Sequence, residues 1–186
     1  VAGDFRRERS LSLLDARHRF VVSGHRQLPR RLGGLAIGAV LQLTSGRPFN
    51  IGINGNDRNL DDVGNDRPDF SGRLDQIGWR RPSAALTSSQ VDDFSLPMIG
   101  TVGNLPRNAG LGPAMHTLNV RVSRAIGLGA GLKAQVLAEA FNPLNATVFS
   151  FGAEFVDYVP GRAGSFLTPR RTIKPRTLRL GLRLSF

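Results

Sequence analysis

The sequence predicts an all-β fold, an antiparallel up-and-down sheet of about five long strands. Three observations carry this reading. Apolar and polar residues alternate with a period of two in several separate stretches. Those stretches run to about 10–13 residues, whereas soluble strands usually run about 5–6 and strands that cross a bilayer about 9–11. The connections between them alternate short, long, short, long. Strands are expected near 16–28, 33–45, 114–126, 131–142 and 174–186.

Residues 17–28 (RHRFVVSGHRQL) carry the weakest alternation, with Phe20 and Val22 opposite Arg19, Val21, Ser23 and His25. The short link 29–34 (PRRLGG) leads to 35–45, where Leu35, Ile37, Ala39, Leu41 and Leu43 stand opposite Gly38, Gln42 and Thr44. The long segment 46–113 follows. It is rich in Gly, Asn, Asp, Pro and Ser and is expected to be irregular. A structureless loop of that length does not suit a compact soluble domain. Next, Leu118, Val120 and Val122 face away from Asn119, Arg121 and Ser123. After the tight link 127–130 (GLGA), Leu132, Ala134, Val136, Ala138 and Ala140 oppose Lys133, Gln135 and Glu139. Segment 143–173 contains two apolar pieces, 147–152 (TVFSFG) and 154–159 (EFVDYV), expected to form a hairpin that extends the strands. The last stretch, 177–186 (TLRLGLRLSF), is the clearest. Leu178, Leu180, Leu182, Leu184 and Phe186 fall on one face, and Thr177, Arg179, Gly181, Arg183 and Ser185 on the other. A helix would scatter those leucines around its circumference.

Tight turns at one end and long loops at the other are the connectivity of a transmembrane β-barrel. The polar residues Arg121, Lys133, Glu139, Arg179 and Arg183 would then face the lumen as a network of ion pairs between neighbouring strands. Five strands of this length leave two unpaired edges, so the sheet is expected to be a fragment of a larger barrel. The chain begins with Val and shows no signal peptide, which fits a processed N-terminus or a piece of a longer chain.

Composition narrows the function classes. The 186 residues carry 25 Lys+Arg against 14 Asp+Glu, a net charge of +11, and only Lys133 and Lys174 are lysines. The 40% apolar content excludes a disordered tail. Its longest apolar-rich stretch, 32–43, is too short to span as a helix. There is no Cys, so disulfide scaffolds and thiolate metal sites are excluded. The charge alone suggests nucleic-acid binding, a remote alternative. The arginines spread through strands, turns and loops, without an aromatic binding motif or a helix-turn-helix pattern.

Chemistry-bearing motifs are few, and the reading is of a protein that is not an enzyme and takes no cofactor. His18, His25 and His116 form no HExxH or paired set. Asp15 and His18 read as a polar strand end, and GLGAG at 127–131 as a tight turn, not a phosphate loop. Asp57, Asn59 and Asp61 occupy positions 1, 3 and 5 of a calcium-like loop. Asp62 stands where an EF-hand needs Gly, however, and Pro68 where it needs Glu. They remain a weak calcium candidate against a solvated acidic loop.

A set of short motifs, in order, resembles the C-terminal barrel segment of a TonB-dependent outer-membrane receptor of the Oar-like branch. They are Asp15-Ala16-Arg17-His18-Arg19-Phe20, Thr44-Ser45-Gly46-Arg47-Pro48-Phe49, Asn65-Asp66-Arg67-Pro68, Arg107-Asn108 with Gly112-Pro113, Glu139-Ala140-Phe141-Asn142 with Asn145, and the terminal Leu182–Phe186. The resemblance implies a parent barrel of about 22 strands enclosing a plug. It further implies energy-coupled uptake of a bulky ligand through an inner-membrane TonB complex, and residence in the outer membrane of a Gram-negative bacterium. Leu182, Leu184 and Phe186 would be the signal read by the barrel-assembly machinery. Outer-membrane lipid would be a further partner; nucleic acid would not. The alternative is a passive porin or an adhesin-like barrel. The ligand is not identified.

Overall fold

In a computed structural model, residues 8–81, 91–151, 155–162, 164, 166–169, 171–172 and 174–186 are described. They divide into two compact units. One comprises His18–Ser45, Ala114–Val148 and Ile173–Phe186, and the other Val1–Arg17, Gly46–Pro113 and Phe149–Thr172. Among the described residues, no helix is long and apolar enough to cross a membrane.

The first unit is the antiparallel sheet. Strands β1 (Arg19–Gln27), β2 (Leu35–Thr44), β7 (Met115–Gly129), β8 (Leu132–Phe141) and β12 (Thr177–Ser185) lie in the order β1-β2-β7-β8-β12. All five expected strands are present, each within a few residues of its expected span. Between β1 and β2, a 3-10 turn at Arg30–Leu32 ends in Gly33 and Gly34, both at positive φ. Strand β7 continues past the expected boundary through a bulge at Gly127/Gly129, leaving a two-residue turn of Ala130 and Gly131. Both have positive φ, 49° and 83°, as a hairpin of that length requires.

The register shows that the sheet is slanted. Ile37 pairs with Val122, yet Ile37 is about five and a half residues from the centre of the first turn and Val122 about eight from the second. The turns are offset by about 2.5 residues, roughly 8 Å, over two strand spacings of about 4.8 Å. If both lie at one level, the strands tilt by about 40°, within the 35–45° of closed barrels. The opposite ends agree. Strand β2 runs on to Thr44, opposite Met115, whereas β8 stops at Phe141, opposite Asn119.

The second unit corrects two expectations. Segment 46–113 is not a structureless loop. It supplies β3 (Pro48–Gly52), β4 (Asp69–Phe70), a 3-10 turn at Leu74–Gln76, β5 (Phe94–Ser95) and β6 (Gly110–Leu111). The apolar pieces of 143–173 do not form a hairpin with each other. Strand β9 (Phe149–Ser150) pairs with β11 (Arg171–Thr172), and β10 (Phe155–Asp157) runs parallel to β3. Gly152 and Glu154, within those two pieces, lie outside the described residues. All of β3 is buried, and Phe49, Ile51, Ile53, Ile77, Phe94, Leu105, Val156, Tyr158, Phe166 and Leu167 form one core. Phe94 is its hub, with ring centroids 4.6 Å from Phe70, 5.0 Å from Phe166 and 5.7 Å from Tyr158. The Tyr158 hydroxyl donates to the Phe94 carbonyl at 2.7 Å. Burial pushes that phenol's pKa up.

Candidate functional site

Antiparallel partners point to the same side of a sheet, so the register assigns every side chain to a face. On one face lie Phe20 and Val22, the odd-numbered residues of β2, then Leu118, Val120, Val122, Ala134, Val136, Ala138, Ala140 and the leucines of β12. The leucines of β12 are more than half exposed. Arg26, His116 and Arg124 share this face, toward its two ends.

The other face carries the polar residues singled out in the sequence. Arg121 pairs with Glu139, and Glu139 with Arg179. The Glu139 carboxylate sits between two guanidiniums, Oε1 3.8 Å from Arg121 Nη1 and Oε2 3.7 Å from Arg179 Nη1. Arg179 also lies over the Phe141 ring, 5.5 Å from its centroid. His25 and Gly38 extend the row across β1 and β2. Gly38 has no side chain, which opens a concavity of about 400 Å³ lined by Ser23, His25, Val40, Asn119, Arg121, Glu139 and Phe141 among others. Lys133 and Arg183 are on this face, opposite Ser185 and Gln135, but form no ion pair among the described residues. The structure thus joins Arg121, Glu139 and Arg179 and leaves Lys133 and Arg183 apart. The parts played by His25, Gly38 and Phe141 depend on register, which alternation alone does not show.

Charge is concentrated in this sheet. Its unit contains 11 Lys and Arg and one acid, Glu139, or +10 of the chain's +11, so the second unit is close to neutral.

The remaining sequence candidates lie elsewhere. Leu182 and Leu184 are on the apolar face, and Phe186 follows β12 fully exposed. The Asp57 carboxylate accepts backbone N–H groups of Leu60, Asp61 and Asp62, and Asp61 accepts that of Val63. The Asn59 side-chain amide donates to Asp61 at 2.9 Å. These oxygens organise their own loop. No group of three His, Cys, Asp or Glu that could hold a metal occurs among the described residues.

The motif residues have architectural tasks. Buried Asp66 accepts the backbone N–H groups of Arg58 and Asn59. Arg67 donates to the Leu105 carbonyl and pairs with Glu8. A Cβ at Gly46 would lie 2.0 Å from the Gly112 carbonyl oxygen, so the two motifs meet where only glycine fits. Asn142, at positive φ, exchanges hydrogen bonds with the Ala146 backbone, and Asn145 accepts the Arg176 N–H.

A family profile described as "Outer membrane beta barrel domain" matches residues 2–174. No curated protein and no solved structure matches the chain. With five long antiparallel strands, one apolar face and one partly ion-paired polar face, the chain belongs to the outer membrane beta barrel domain family and resides in the outer membrane of a Gram-negative bacterium.

Proposed function

We propose that this chain is a wall segment of a TonB-dependent receptor of the Oar-like branch, with a role in energy-coupled uptake of a bulky ligand and none in catalysis. The observation that carries the reading is the ordered motif series from Asp15 to Phe186. The sheet is then one arc of a barrel of about 22 strands, completed by further strands on the free edges of β1 and β12. The row Arg121–Glu139–Arg179 lines the lumen, and 46–113 lies on the extracellular side with the other long connection. The test is site-specific cross-linking in cells between the native protein carrying this chain and TonB. A cross-link that increases with ligand-replete growth medium is expected. A passive porin, the second reading, would give no cross-link and would conduct ions steadily in a planar bilayer.

The same proposal makes Leu182, Leu184 and Phe186 the segment read by the barrel-assembly machinery. Removing Phe186 should sharply lower the amount inserted in the outer membrane. As a mere strand end, Phe186 would contribute at most roughly 1.5–3 kcal/mol of apolar burial, and insertion would persist. Normal levels of the deletion variant in membrane fractions would remove the assembly role.

A further inference from the structure

The apolar face of the sheet carries two arginines near its turn end. Arg26 follows Phe20, Val22 and Gly24 on β1, and Arg124 stands between Val122 and Ile126 on β7. A cation on a lipid face is costly near the midplane, and the cost falls toward the interface, where its head group reaches polar surroundings. Arg26 lies about five and a half residues above its turn centre and Arg124 about six above its own, so the slant of the sheet brings them to nearly the same depth. They are two strands apart and flank Leu35 and Ile37 of β2 at a backbone separation of roughly 12 Å. Arg30 and Arg31 occupy the turn that joins β1 to β2, and all four arginines are exposed.

None of the four has an ion-pair partner among the described residues. No acid occurs in sequence between Asp15 and Asp57 or between Asp93 and Glu139, so β1, β2, β7 and their short turns contain no carboxylate. The sheet's single acid, Glu139, is on the opposite face between Arg121 and Arg179. Four cations around an apolar strip, without a counter-charge from the protein, complement a ligand with a phosphate head and acyl chains.

We propose that the turn end of the β1–β2–β7 outer face binds an anionic glycerophospholipid, its phosphate held between Arg26 and Arg124 with Arg30 and Arg31 beside it, and its chains along Leu35 and Ile37. Short turns of outer-membrane barrels face the periplasm, which makes the lipid at this depth a phospholipid and not lipopolysaccharide. The inference needs the membrane placement of the sheet and not the transport reading.

The test uses the native protein carrying this chain, reconstituted in phosphatidylcholine vesicles with equal minor fractions of phosphatidylglycerol and lipopolysaccharide. The readout is the phosphatidylglycerol enrichment retained after detergent extraction, measured by native mass spectrometry. Wild type should be enriched, and Arg26→Gln/Arg124→Gln should lower that enrichment by roughly fivefold or more. Arg9→Gln/Arg162→Gln, an equal charge loss in the second unit, should leave it unchanged. Should the glutamine pair fail to insert, Arg26→Lys/Arg124→Lys should keep the enrichment, and raised salt should abolish it. The site is overturned by equal enrichment in wild type and the glutamine pair, by an equal loss in the control, by salt-insensitive enrichment in the lysine pair, or by preference for lipopolysaccharide over phosphatidylglycerol.

Discussion

The sheet and the second unit place the same residue types in opposite positions. In the second unit a set of large apolar side chains points inward to one core, and Phe49, Ile51 and Phe94 are almost fully buried, although others, such as Leu60 and Met98, stay exposed. In the sheet they point outward, with Leu178, Leu180 and Leu182 about two-thirds exposed or more, while an ion-paired row occupies the other face. The charge divides the same way, +10 in the sheet against about +1 in the rest. The difference lies in the solvent each surface meets. A face made for lipid gains nothing by being covered with protein, whereas a water-facing unit must bury its apolar groups to offset the entropy of ordering its chain. An unbroken row of exposed leucines is thus a requirement in the sheet, whereas the second unit depends on the apolar side chains that it buries.

The largest test of that contrast is Phe94→Ala. It removes the ring at the centre of the aromatic cluster and should cost about 3–5 kcal/mol. Limited proteolysis should show faster cleavage within 46–113, while heat-modifiable mobility of the barrel on gels persists. Unchanged cleavage would mean that the cluster does not hold the unit together. Next in size, Leu180→Arg, on the apolar face opposite Ala138, should cost about 2–4 kcal/mol in a bilayer, and Arg183→Leu much less. Equal losses of folded barrel in urea titrations of the two variants would show that the faces are reversed.

Two smaller effects sharpen the electrostatic side. A double-mutant cycle of Glu139→Gln with Arg179→Gln should give a coupling of about 0.2–1 kcal/mol, since the contact is long and partly solvated. Zero coupling, read from denaturant midpoints, would reduce the row to coincidental neighbours. The smallest effect is that of Glu8. Its hydrogen bond to Arg67, with help from the nearby charges of Arg67 and Arg107, holds its carboxyl below the usual range. A depressed folded pKa contributes stability that is fully present above the unfolded value, near 4.5, and is lost as pH falls through the folded one. Glu8→Gln should therefore destabilise the second unit at neutral pH by a fraction of a kcal/mol, about 0.5, because the pair is partly exposed. The two proteins should converge in acid, and a difference that grew on acidification would contradict the assignment.

Alternation made the sheet legible because each strand there has one apolar and one polar face, and a side-chain period of two is visible in the sequence itself. Strand β3 escaped that reading because all five of its residues are buried, so Pro48–Gly52 shows no period. Its parallel partner Phe155–Asp157 is about a hundred residues away, and no local signal records such a pairing. The polar row was half legible. Arg121, Glu139 and Arg179 could be assigned to a face, but which of the five polar residues meet depends on register. Register placed Lys133 and Arg183 on other rungs and brought in Phe141.

By itself, then, the sequence determined the fold class, the strand positions, the direction of each face and the sign of the charge, all of which follow from local periodicity and composition. Tertiary structure decided which residues share a rung, how far the strands slant, and that 46–113 and 149–172 combine around one core. The physical reason is range. Periodicity is set by the geometry of successive residues, whereas register, slant and a core assembled from distant segments exist only once those segments are in contact.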